Sequence, residues 1–364
     1  MGAVEAMNLL TRYLAREIYF SVALVFFALL MLFSLFDLIN QLNEMGTGNY
    51  SLMYMLIFVA LTIPSHVYEL FPVAVLIGTI VALVQMSANS ELTVYRASGV
   101  SLKSLVLALL RIGIPMMILC VVVGEFVSPP SEKLALKIKL KAQNLNLNVS
   151  EFRSGVWAKD EGSFVNVRNV MSDTSLQEIT IYQFDERYQL QGIIAANRAS
   201  YRAEKEWLLK DVKQTKFSEQ GATIHNQAEL VWHTALNPGI LTVLLVVPEK
   251  MTAMSLYQYT QHLSDNNQQT ARYEIAMWGK LAYPIAVLVM MVLALAFSSY
   301  NKREGGVGTK IFVGVVLGLT FHFAGRLFAN LGALNEWNSL LSATAMNWLF
   351  LALALTLLWR AERR

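Results

Sequence analysis

Cysteine, charge and histidine are scarce in this chain, and each scarcity removes a class of protein. A single cysteine, Cys120, among 364 residues excludes an internal disulfide and any paired-thiolate zinc motif. Set in an apolar run, it reads as a small buried hydrophobe. Only 15% of residues are charged, against about 25% in an ordinary soluble domain, so the chain is not wetted on all sides. Neither sign dominates: 29 Lys and Arg against 26 Asp and Glu leave +3, too balanced for a nucleic-acid binder. Catalytic signatures are missing as well. There is no G-x-x-x-x-G-K-[ST], so the glycines of Gly305-Gly306-Val307-Gly308-Thr309-Lys310 form no nucleotide loop, and neither H-E-x-x-H nor G-x-S-x-G occurs. The five histidines, at 66, 225, 233, 262 and 322, are scattered. No catalytic, cofactor or metal site is therefore expected on this chain.

What is abundant is apolar sequence, and it is unevenly spread. Residues 128–271 hold 30 charged positions in 144, whereas the other 220 residues hold 25. The middle is composed like a water-soluble domain and the flanks are not. Six stretches are apolar enough for the roughly 20-residue helix that crosses a bilayer: Ile18–Ile39, Leu52–Val84, Leu105–Val127, Met277–Phe297, Ile311–Leu331 and Leu340–Trp359. The second is long and carries Pro64 and Pro72, with His66 and Glu69 between them, which predicts a bent helix or an entry turn followed by a span. The first run is too long for the apolar core of a signal peptide, and no A-x-A-like cleavage site closes it.

Short-loop cations give the direction. Arg12, Arg16, Arg96, Lys103, Lys302, Arg303, Lys310, Arg360, Arg363 and Arg364 fall on one side, while loops 40–51 and 332–339 contain no Lys or Arg. The positive-inside rule places both termini in the cytoplasm and residues 128–271 outside. The expected organisation is spans one to three in 1–127, an external domain in 128–271, and spans four to six in 272–364. In the external part, Ser163–Val170, Glu178–Phe184, Gln189–Ala195 and Glu206–Val212 mix β-branched and aromatic with polar residues, and turn-like punctuation separates them. These short strands predict a sandwich or jelly roll. Ser131–Ala142, with Lys133, Lys137, Lys139 and Lys141 among leucines, reads instead as a helical continuation of span three.

Between spans two and three, a cytoplasmic segment at about 87–99 begins with capping-type residues and stops at Gly99, as a short amphipathic helix does. Physics alone allows an interfacial helix on lipid headgroups or a coupling helix that docks into a partner. Its core, Ser90-Glu91-Leu92-Thr93-Val94-Tyr95-Arg96-Ala97-Ser98-Gly99, resembles the S-E-hydrophobic-x-V-x-x-A-[SC]-G signature of the LptF/LptG family of lipopolysaccharide export permeases. The three-span, domain, three-span layout is similar too. Gly155-Val156-Trp157-Ala158-Lys159-Asp160 followed by Phe164-Val165 favours the LptG branch. So does Met254-Ser255-Leu256 with Tyr259, Tyr273-Glu274, Trp278-Gly279-Lys280 and Pro284. The chain departs from some relatives in carrying Asp37, and no basic residue, late in span one.

The resemblance implies a six-helix inner-membrane protein with an inserted periplasmic β-jellyroll. It implies an LptF-like permease as heterodimer partner, an LptB-like ATPase dimer that binds ATP-Mg, and LptC-like and LptA-like bridge proteins. Lipopolysaccharide would enter a cavity from the outer leaflet, and ATP hydrolysis on the separate chain would drive it into the jellyroll. Glu91 is then expected to couple to the ATPase through a charge-assisted bond, with Arg96 as a second contact or a snorkelling surface residue. Lys133, Lys137, Lys139 and Lys141 are candidates for lipid phosphates or an ordinary solvated face. Arg326 and His322, one turn apart in span five, face lipopolysaccharide or pair with an intramembrane acid such as Glu69 or Glu125. Gly314 and Gly318 form a close-contact helix face, toward the partner permease or within the subunit. Besides the LptF paralogue, two readings compete. A membrane-anchored scaffold predicts spans without buried charge, and an intramembrane enzyme predicts paired groups, for which His66 and Glu69 come nearest.

Overall fold

The computed structural model describes residues 2–91, 94, 101–143, 147–148, 156–160, 162–170, 175–185, 187–203, 206–218, 221–234, 236, 247–300 and 307–363. Helices α1 (Gly2–Leu42), α2 (Leu52–Ala88) and α3 (Leu102–Val122) come first. A π-helical turn (Val123–Val127) then joins α3 to α4 (Ser128–Ala142). Among the described residues seven strands follow: β1 (Leu147–Asn148), β2 (Val156–Asp160), β3 (Ser163–Val170), β4 (Leu176–Phe184), β5 (Leu190–Ala203), β6 (Glu206–Ser218) and β7 (Gly221–His233). A 3-10 turn (Pro248–Lys250) and α5 (Ala253–Asp265) lead back to α6 (Ala271–Tyr300), α7 (Val307–Leu334) and α8 (Ser339–Glu362). Among the described residues six helices are long and apolar enough to cross a bilayer: α1, α2, α3 with its continuation, α6, α7 and α8. The protein is thus a helical membrane protein with a β domain inserted between its third and fourth spans.

α2 and α6 form the centre of the bundle. Every residue from Leu70 to Ile80 is buried, as is Val289 to Ala296, and the two runs share one core with Leu14, Ile18, Leu109 and Phe350. α1 shows the opposite character, with Phe20, Leu24, Phe27, Met31, Leu35 and Phe36 exposed. A helix apolar on its outer surface is stable only against lipid or another apolar chain. The long second run is one continuous helix with Pro64 and Pro72 inside it. Hydrogen bonds from α2 side chains flank the first proline in the sequence. Thr62 donates to the Val59 carbonyl at 2.9 Å and to Asp37 of α1 at 3.1 Å, and Ser65 bonds Ser128 at 2.8 Å. Such partners are what permit a helix-breaking residue at membrane depth.

The described strands of the β domain form one antiparallel sheet. β3 carries β4 on one edge and both β1 and β2 on the other, and β4 to β7 then pair in sequence. Alternate residues point inward, so Val165, Val167, Ile179, Ile181, Trp207 and Leu209 form its core. The Trp207 indole donates to the Leu236 carbonyl at 2.7 Å.

The two loops without Lys or Arg lie at the β-domain end of the bundle. Asn49 N–H donates to Ala142 O at 2.7 Å at the end of α4, and Gln269 donates to Glu336 at 3.1 Å. α1 is attached most closely at Gly78, where a Cβ would meet the Val22 backbone. A Gly78→Val substitution is therefore expected to destabilise the bundle by about 1–3 kcal/mol. It should lower the thermal midpoint in detergent, whereas Gly308→Ala, whose methyl meets open space, should not.

Candidate functional site

Helices α2, α6, α7 and α8 part at the β-domain end of the bundle and leave a cavity of about 210 Å³. α2 contributes Tyr68 and Glu69, α6 contributes Arg272, Lys280 and Tyr283, and α7 contributes His322, Arg326 and Asn330. Small residues, among them Ala276, Gly279, Gly325 and Ala329, keep the helices from filling it, while Phe321, Ile275 and Met346 make its wall apolar. Three cations face it with two carboxylates, Glu69 and Glu249. An apolar wall with convergent polar groups is the usual form of a small-ligand site. Here the lining is amphiphilic, with charged groups of both signs beside an apolar wall.

Arg326 is brought to Glu69, with 3.6 Å between Nη2 and Oε2, and remains 60% exposed. A carboxylate partner at that distance holds the guanidinium over the cavity without burying it. His322 lines the same wall one turn away. His66 and Glu69, the nearest approach to a catalytic pair in the sequence, turn to different partners. His66 Nε2 lies 2.6 Å from Asp37 Oδ2 of α1, and Glu69 is committed to Arg326.

Behind Lys280 lies a second ionic joint. Glu125, in the π-helical turn, accepts the Ala253 N–H with both oxygens, at 2.9 and 3.1 Å. It thereby caps the first residue of α5, where a carboxylate meets the positive end of the helix dipole. Lys280 Nζ lies 3.6 Å from Glu125 Oε2 and donates to the Met251 carbonyl. Nearby, Lys250 binds Glu132 of α4 at 2.8 Å. The helix leaving the membrane and the segment returning from the β sheet are thus clasped twice. α5 itself packs Leu256, Tyr259 and Leu263 on Tyr273, Ala276 and Met277 of α6. Burial, with Tyr273 alongside, holds the Tyr259 hydroxyl above its ordinary range, so it stays protonated.

The other sequence candidates are dispersed. Lys133, Lys137 and Lys141 are exposed and four residues apart on one face of α4. Lys139 is 17% exposed; it binds Glu44 at 2.7 Å and lies 5.1 Å from the Phe58 ring centroid. Gly314 and Gly318 face Ile80 and Val73 of α2, so their close contact is within the subunit. At the opposite end of the bundle, Ser87 and Ala88 close α2, Asn89 and Ser90 make the turn, and Glu91 and Val94 are helical. Tyr13 of α1 reaches the Glu91 carboxylate, whose Oε2 is buried without a hydrogen-bond partner among the described residues. Arg96 lies outside the described residues. The sequence reading did not identify the Glu125–Lys280 joint, although Glu125 and Lys280 both interrupt apolar runs.

Residues 12–360 match the family described as lipopolysaccharide export system permease LptF/LptG. The chain is 29% identical over 354 residues to lipopolysaccharide export system permease protein LptG of Haemophilus influenzae, covering 97% of this chain and 99% of that protein. It is 28% identical over 359 residues to LptG of Escherichia coli K12, covering 98% and 99%. To LptF of the same strain it is 22% identical over 378 residues, covering 96% and 95%.

The cavity makes its own prediction. A cysteine placed at Ala329 should react with a small thiol reagent. Gly325, whose nearest neighbour for an added Cβ is Met346 at 3.9 Å, has room for a larger residue. Gly325→Phe should then slow that labelling, as read by mass spectrometry.

Proposed function

This chain belongs to the LptF/LptG family of lipopolysaccharide export permeases, and on that premise we propose that it is the LptG-type subunit of an ATP-driven lipopolysaccharide extractor. The observation that carries the reading is end-to-end similarity to LptG proteins at 28–29% identity, against 22% for LptF. The protein is an inner-membrane protein. Its termini, with the Glu91 segment, face the cytoplasm, a reading supported by the short-loop cations and by the two cation-free loops lying at the β-domain end.

Lipopolysaccharide enters the cavity from the outer leaflet. Phosphates of lipid A meet Arg326, Lys280 and Arg272, and acyl chains lie against the apolar wall. Uncompensated cations at this depth are costly, so a phosphate that completes the incomplete pairing of Arg326 binds with charge-assisted hydrogen bonds. The exposed Lys133, Lys137 and Lys141 stripe supplies a further cationic path beside the β domain. An LptF-like permease completes the cavity, against the exposed apolar faces of α1 and α7. LptC-like and LptA-like proteins receive the lipid from the β domain.

Chemistry occurs elsewhere: an LptB-like ATPase dimer holds ATP-Mg and works the permease through Glu91. The Glu91 carboxylate suits an arginine on that partner, and a charge-assisted bond transmits a rigid-body movement. Removing it costs about 1.5–3 kcal/mol, or about 10–100-fold. Glu91→Ala should therefore lower lipopolysaccharide-stimulated ATP hydrolysis and release by about 10–100-fold in the reconstituted complex. Unchanged hydrolysis and release, with the ATPase retained on purification, would refute the coupling role.

A further inference from the structure

Lys280 faces two ways. Its side chain lines the cavity, yet its ammonium donates to the Met251 carbonyl and lies 3.6 Å from Glu125. It is only 8% exposed and sits 5.9 Å from the Tyr68 ring centroid. The Tyr68 ring is pressed on Gly124, where a Cβ would clash with it. In so confined a place the ammonium is poorly hydrated, and competition between two anions for it is strong. Glu125 does not depend on Lys280 for its hold on α5, because both its oxygens already receive the Ala253 N–H. The Met251 carbonyl is held by Lys280, and Met251 lies in the segment through which the chain returns from the β sheet.

Resting on the reading of the cavity as a lipid-phosphate site, we propose that Lys280 is a positioning residue linking that cavity to the β domain. A phosphorylated headgroup entering the cavity competes with Glu125 for the Lys280 ammonium. As Lys280 turns to the headgroup, it releases the Met251 carbonyl. The return segment then loosens at Met251, between the Lys250–Glu132 pair and the Glu125 cap on Ala253 that both remain, and α5 shifts with it. Occupancy of the cavity is in this way reported to the domain that receives the lipid. No bond is made or broken beyond this exchange of ionic partners.

The test uses the full-length chain with its copurifying partners, in phosphatidylethanolamine nanodiscs containing lipid A, with a photo-crosslinker at Asn330. Lys280→Met should lower the crosslinking of lipid A by about tenfold, and Glu125→Gln, which removes the competitor, should raise it by about two- to threefold. With lipid A stripped of its phosphates, both variants should match the unsubstituted protein. Phosphatidylglycerol producing the same opposite shifts would uphold the device for phosphorylated lipids in general. Spin labels at Gln258 of α5 and Leu134 of α4 should change separation when lipid A is added, and not in Lys280→Met. A purely structural joint moves both crosslinking yields downward. That result, or an unchanged label separation despite crosslinking, overturns the proposal and leaves the cavity assignment standing. No crosslinking of lipid A in the unsubstituted protein overturns both.

Discussion

A bilayer offers no hydrogen-bond partners, so a charged group that these helices carry into it is best met by another part of the protein. Asp37 is met by His66 and Thr62, Ser65 by Ser128, Glu69 by Arg326, and Glu125 by Lys280 and the Ala253 N–H. Asn347 of α8 donates to the Ala282 carbonyl of α6 at 2.9 Å. Each of these ties joins two elements. Removing one partner of such a pair leaves the other uncompensated, which costs far more than an exposed ion pair is worth. The need to satisfy buried polarity therefore fixes how α1, α3, α7 and α8 are arranged about the apolar α2–α6 centre.

The ties are not evenly distributed along the bundle. They gather toward the β-domain end, whereas the remainder of the α2–α6 contact is apolar, and Gly314 and Gly318 allow α7 to lie flush on it. The α2–α6 contact is consequently apolar away from the β domain, and the end beside it is polar and open enough to hold a cavity. The same end anchors the β domain through Glu132–Lys250 and the Glu125 cap on α5. A lipid taken up from the outer leaflet would thus enter where the membrane bundle and the β domain are joined.

Much of this was legible in the sequence, because period and composition are local properties. The six apolar runs became six helices, Ser163–Val170 coincides with β3, and the lysine-bearing segment after span three is helical to Ala142. β7 was not legible: as an edge strand it is exposed on both faces from Gly221 to Glu229, and only Leu230 and Trp232 at its end alternate inward onto the sheet core. α5 carried a signal in Thr252 as cap and in Leu256, Tyr259 and Leu263, but the surface it packs on is set by tertiary structure. The cavity depends on the rotation of four helices about their axes. Sequence left Arg326 with several possible acids; only the packed bundle brings it to Glu69. Lys139 read like its three neighbours, yet Glu44 and Phe58 occupy it.

In the proposed arrangement lipid phosphates sit among Arg326, Lys280 and Arg272, between α2, α6, α7 and α8. The most direct measurement is a cryo-electron-microscopy map of the assembled complex with lipopolysaccharide bound. Phosphate density within salt-bridge distance of Arg326 and Lys280, with acyl density along Phe321 and Met346, is the predicted result. A headgroup seated on the Lys133, Lys137 and Lys141 face, with the cavity empty, would contradict it.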